Sequence, residues 1–306
     1  MISVRRWMVV AILAASLGTV AQSARADGLA TSASALPPEV RRPLQAEIAG
    51  YLARRPDAFD AVRGALGHRP EMYTRRRNPV PEAARELRAL GAEGLLPMLD
   101  ALAFDAPERG ALTESEWTAL TVGMLEAVGA LRDPRSGPVL RAIFDGAASP
   151  RVLSAAARAM GRLGGDAELA VLVEASDGDT RSLAAIQGLG ECKRIESAKR
   201  LAALLARADE PRAAEIGAAL GKVGSSWAWR AMGPRAAATA LAVREVAARA
   251  LVQGFVRHRG ARAELEKALG RVAHPATLDL VSRAQSDADV ETATALRGLG
   301  LRLDRR

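Results

Sequence analysis

The side chains with the widest chemical reach are few in this chain: three histidines (His68, His258 and His274) and one cysteine, Cys192. No His-x-x-x-His pair, Cys-x-x-Cys pair or glutamate-linked zinc motif joins them, so a structural or catalytic zinc site is not expected. Gly188-Leu-Gly190-Glu-Cys-Lys193 has the glycines of a phosphate loop only in part. It lacks the third glycine and the preceding strand that would aim backbone amides at a phosphate. Cys192 aligns with Leu163 and Val223, two core positions of the pattern described below, and reads as a buried, inert thiol. No catalytic residue, metal or cofactor is therefore predicted, and the chain is expected not to be an enzyme.

Binding chemistry is better represented. Trp227-Ala-Trp229 places two indoles two residues apart, about 200° around a helix, so one is expected in the core and the other outside. His68-Arg-Pro-Glu-Met-Tyr-Thr-Arg75-Arg76-Arg77-Asn-Pro79 is the densest basic stretch. Its plain reading is a solvated linker; its functional reading is weak contact with an acidic partner or anionic lipid head groups. The arginines are not interleaved with the aromatics that nucleic-acid binding uses, and no nucleic acid is expected.

The sharpest binding candidate is a row. In segments of the form Ala-Ala-x-Ala-Leu-Gly-x-Leu-Gly the two variable positions lie four apart and share one helix face. They are Arg158 and Arg162, Gln187 and Glu191, Ala218 and Lys222, and Arg249 and Gln253. Stacked at one repeat spacing of about 10 Å, these side chains would line a concave groove suited to a protein or peptide partner. Their position between packing residues predicts an exposed row whose charges can be reversed at little cost in stability.

A repeat must position that row. Val152-Leu-Ser-Ala-Ala-Ala-Arg-Ala-Met-Gly161 returns as Val243-Arg-Glu-Val-Ala-Ala-Arg-Ala-Leu-Val252. Taking Gly129, Gly161, Gly190, Gly221 and Val252 as equivalent, the steps are 32, 29, 31 and 31 residues, with Gly300 closing the series 48 residues later. Each unit reads as a helix ending in Ala-Leu-Gly, a turn such as Arg132-Asp-Pro-Arg135, and a second helix such as Gly137 to Phe144. Alanine and leucine favour helix, and aromatics are only 3% of the chain, so strands have little to build on. One helix pair cannot bury its apolar stripe alone, which makes stacking obligatory. The expected fold is all-α, a right-handed α-solenoid (superhelix) of stacked antiparallel helix pairs.

The pattern V-x-x-A-A-x-A-L-G-x-L-G followed by Asp resembles HEAT-like repeats, in particular the short variety first known from phycobilin lyases. The resemblance spans Ala83 to Leu303. It implies an armadillo-like helical array with a binding role, and it leaves the partner open. Two segments depart from it: a loop from Phe104 to Glu116 inside one early repeat, and Gly254 to Pro275, where no single helix pair fits.

The amino terminus carries a different signal. Arg5 and Arg6 precede an uncharged run from Trp7 to Ala21, and Ala24-Arg25-Ala26 has the small-x-small form of a signal-peptidase site. The run is short for a membrane span. The residues around Arg5-Arg6 match a twin-arginine signal poorly, so the general secretory route is expected, with a periplasmic or extracellular product. The full chain carries +8; without Arg5, Arg6 and Arg25 the balance is +5, an ordinary solvated surface. The expected organisation is a signal peptide (1–26), a linker without packing signal (27–37), a helical cap and basic loop (38–82) and the repeat array (83–306). The function expected is an exported protein-binding scaffold. The alternatives are a lyase or maturation factor for a protein-bound cofactor, and a structural spacer in an envelope assembly.

Overall fold

A computed structural model describes residues 28–66, 80–178 and 180–305, the backbone alone at 80–83. The expected signal peptide with Arg5, Arg6 and Arg25, and the basic stretch with His68, Arg75, Arg76 and Arg77, lie outside the described residues. All regular structure among the described residues is helical. Helices α1 (Pro38–Arg54) and α2 (Pro56–Leu66) precede the array. Then come α3 (Val80–Ala89), α4 (Leu95–Ala103), α5 (Glu114–Leu131), α6 (Gly137–Gly146), α7 (Pro150–Leu163) and α8 (Asp166–Ala175). The series continues with α9 (Ser182–Glu191), α10 (Ile195–Ala206), α11 (Glu210–Val223), the short α12 (Ser226–Arg230) and the long α13 (Ala237–Arg257). It ends with α14 (Arg262–Val272), α15 (Thr277–Ser286) and α16 (Val290–Asp304).

The chain is an all-α solenoid in two layers. Helices α3, α5, α7, α9, α11 and α14 pack side by side in one layer; α4, α6, α8, α10, α13 and α15 form the other. Small residues set the spacing of the first layer. A Cβ added at Gly161 would lie 2.0 Å from the Gly188 carbonyl oxygen, and one at Gly129 would lie 2.7 Å from Ala159 Cα. Gly190 meets Ala219 and Gly221 meets Ala268 in the same way. Helix backbones therefore touch in this layer, whereas in the other layer α4, α6 and α8 meet their neighbours only sparsely and close packing begins where α13 lies on α10. From α3 to α10 the stack is tighter on one side and curves toward that side, which makes the glycine layer the concave one there.

Between the layers lies a continuous core that includes Met98, Leu125, Phe144, Met160, Leu172, Leu201, Leu251 and Leu269. Each such side chain contributes about 1.5–3 kcal/mol on burial. Local chemistry sets the helix ends. Thr113 and Glu116 form a reciprocal capping box at the start of α5. Gly164 closes α7 in the left-handed conformation at φ +69°.

Two expectations change here. Residues 28–36 are docked, not an unpacked linker: Leu29 N donates to Ala101 O at 2.8 Å, and Leu36 is buried. Gly28 fits only because it has no side chain, since a Cβ there would come within 2.3 Å of the Ala103 backbone. The second change is the register beyond Gly221. The helix that continues the concave layer after α11 is α14, with Ala268-Leu-Gly270 in the repeat position, and α13 lies against α10 in the other layer. Gly254 of α13 meets Leu205 of α10. Gly270 is thus the true equivalent of Gly221, 49 residues on, and Gly300 follows after a regular 30. The helix α12 and the extended start of α13 are an insertion.

Candidate functional site: the concave ion-pair row

The residues named from the repeat pattern divide at that change of register. Arg158 and Arg162 on α7, Gln187 and Glu191 on α9, and Lys222 on α11 form one connected row. Arg158 Nε and Nη2 donate to Glu126 Oε1 at 3.0 and 2.8 Å, and its Nη1 donates to Gln187 Oε1 at 3.4 Å. Arg162 donates to the other oxygen of Glu126 and lies 3.7 Å from Glu191. Lys222 Nζ completes the chain 3.5 Å from Glu191 Oε1. Three cations and two carboxylates alternate across four helices.

Arg249 and Gln253 do not belong to it. They sit on α13, in the outer layer, where Arg249 pairs with Glu245 one turn away at 2.9 Å. Their places in the row are taken by Lys267 and Arg271, which flank Ala268-Leu-Gly270 on α14. Lys267 is bonded to Glu264 at 2.7 Å, and Arg271 is exposed and makes no ion pair with a described residue.

Glu126 is the residue the sequence reading missed. It stands three positions before Gly129, as Arg158 stands three before Gly161, so the repeat itself contained the signal. Its side chain is 16% exposed, against 24% for Arg158 and 21% for Arg162. Burial raises its pKa, but Arg162 and Arg158 together outweigh that and hold the carboxyl below its usual range. The freely exposed, freely reversible row expected from sequence is therefore corrected at its first members: Arg158 and Arg162 are half-buried and paired. Exposed positions begin at Lys222.

Other ion pairs obey the same rule of an acid in one repeat and an arginine about one period later. Asp145 pairs with Arg181, Asp166 with Arg194 and Asp177 with Arg207. Lys193 adds a cation near the row's end. Its Nζ donates to Lys222 O at 2.5 Å, at the carbonyl end of α11, where helix dipole and ammonium attract. Burial nevertheless brings its pKa down to about 8.

The remaining candidates are structural. Cys192 is buried, and burial raises its thiol pKa. His258 is buried at the end of α13, its Nε2 3.0 Å from Leu205 O. A cavity of about 440 Å³ opens beside it between α10, α13 and α15, with Gln253, Arg257 and Asp287 on its wall. Burial and the neighbouring Asp105 push Asp100 up to about 6, but the adjoining cavity is about 60 Å³, room for water and little else. No group of three metal-ligating side chains occurs among the described residues. Nor is any described helix long and apolar enough to cross a membrane.

Residues 110–190 match the HEAT repeats family, which supports the HEAT-like reading of the array. No curated protein sequence matches it. Among solved structures it is similar to human deoxyhypusine hydroxylase in complex with glycerol, at 17% identity and a TM-score of 0.31, over 82% of this chain and 98% of that one. That protein is an enzyme, so the expectation that this chain is not one does not stand. At this identity and score the likeness assigns no reaction here.

Proposed function

We propose that this HEAT-like repeat chain is an exported protein-binding scaffold, with its partner laid along the concave layer. HEAT repeats in general mediate contacts between proteins. The observation that carries the proposal is the polar row of α7, α9, α11 and α14. Its first members are held by one another in fixed orientations, so less side-chain freedom is lost on binding. Its later members, Lys222, Lys267 and Arg271, present positive charge. A protein or peptide segment with acidic side chains fits that gradient.

Export rests on the leader alone. Cleavage after Ala26 would leave intact the segment that docks on α4 from Gly28 onward. A weak membrane contact through Arg75, Arg76 and Arg77 is part of the same reading.

The test compares proteins retained from an envelope extract by the processed chain, by Lys222→Glu/Arg271→Glu, and by Arg249→Glu as an outer-layer control. A partner held in the row is lost with the double variant and kept by the control. Equal retention by all three, or loss from the control as well, would reject the concave site. Amino-terminal sequencing of the exported material should read from near Asp27; a chain still starting at Met1 would reject export by cleavage.

A further inference from the structure

The insertion between α11 and α13 is a second surface with its own chemistry. It adds α12, a turn at Gly233 and the first turns of α13 to a step that elsewhere runs near 30 residues. Its base is anchored: Trp229 is buried, and its Nε1 donates to Val223 O at 2.7 Å. Its outside is not covered. Trp227, two residues away and turned to the opposite side, is 74% exposed, and Met232 is exposed beyond it. Gly233, at φ +83°, has open space where a side chain would stand, so the turn projects into solvent.

Charge is one-sided here. From Gly224 to Arg244 the chain carries Arg230, Arg235 and Arg244 and no Asp or Glu. Arg244 is bound to the Val272 and Ala273 carbonyls, whereas Arg230 and Arg235 are exposed and pair with no described acid. An indole, a thioether and two unpaired guanidiniums thus share one projecting turn.

We propose that this turn docks the protein on an anionic lipid surface, with Trp227 and Met232 at head-group depth and Arg230 and Arg235 against the phosphates. Tryptophan's ring is apolar at one edge and a hydrogen-bond donor at another, which suits the interface between head groups and acyl chains. Neither of the cavities described above is lined by this turn, and a bilayer needs no cavity. Basic residues near such a surface contribute about 1 kcal/mol each, or about fivefold in partition, and the acid-free segment lets those contributions stand. This surface is independent of the concave row, and the failure of either leaves the other intact.

The test is cosedimentation of the processed chain with phosphatidylcholine vesicles, with and without phosphatidylglycerol, at low and high salt. Binding is expected only with phosphatidylglycerol and should weaken with salt. Arg230→Glu/Arg235→Glu should lower it at least about thirtyfold, and Trp227→Ser about tenfold. All three positions are exposed, so circular dichroism should show wild-type folding. Brominated lipid should quench fluorescence in the wild type and much less in Trp227→Ser. The proposal is overturned by failure to bind phosphatidylglycerol vesicles, by binding that both variants retain, or by binding that instead disappears when Arg75, Arg76 and Arg77 become Ser. A concentration-dependent dimer abolished by Trp227→Ser would likewise overturn it, by assigning the patch to a second copy.

Discussion

Replacing Glu126 with Ala should destabilise the array although no apolar contact is lost. Three charge-assisted hydrogen bonds reach this carboxylate from Arg158 and Arg162. Such bonds are each worth about 1.5–3 kcal/mol when well buried. Here the full sum does not apply. Both arginines keep some solvent, Arg158 retains Gln187, and Arg162 retains Glu191. A net cost of about 2–3 kcal/mol is the reasonable expectation, most of it from two stranded guanidiniums. Urea unfolding followed by far-ultraviolet circular dichroism measures it, using the first transition, because a repeat array need not unfold as one unit. A double-mutant cycle with Arg162→Ala should give a coupling of about 1–2 kcal/mol. Acid provides an independent check. The folded Glu126 carboxyl lies below its unfolded value of about 4.3, so its contribution is present above that pH and is lost as pH falls through the folded value. The advantage of wild type over Glu126→Gln should therefore close in acid. A cost below about 0.5 kcal/mol, within the range of ordinary surface changes, together with a coupling near zero, would refute the row as a connected unit.

Other outcomes follow from the packing. Gly161→Ala should cost more than about 2 kcal/mol, because its methyl must displace the Gly188 backbone on the facing helix. Gly64→Ala should instead stabilise by about 0.5–1 kcal/mol, since that position lies inside α2 with nothing within 4 Å of an added Cβ; urea midpoints of the two variants should move in opposite directions. Cys192 should resist thiol reagents in the native protein and react only at the rate of unfolding, and rapid native labelling would contradict its burial. Thr113→Ala should lose about 1 kcal/mol with the capping box of α5, and an unchanged melting midpoint would show that the box contributes nothing.

How much could be read without coordinates differs along the chain for physical reasons. Helix periodicity, the Ala-Leu-Gly signature and the opposed Trp227 and Trp229 are local properties, set by 3.6 residues per turn and by side-chain size, so the sequence determined them unaided. The burial of Cys192 followed from alignment with Val223 within that period. Pairing did not, because a carboxylate's partner lies about thirty residues away on the next helix, and several arginines are equally spaced to receive it. The register after Gly221 failed for a related reason. Val243-Arg-Glu-Val-Ala-Ala-Arg-Ala-Leu on α13 and Lys267-Ala-Leu-Gly270 on α14 both carry the repeat's local pattern, and only contact can choose between them. Gly221 fits against Ala268, while Gly254 of α13 fits against Leu205 of the other layer. That choice moved Arg249 and Gln253 out of the concave row and brought Lys267 and Arg271 in. Stacking, a property of neighbouring helices and not of either sequence segment alone, decided it.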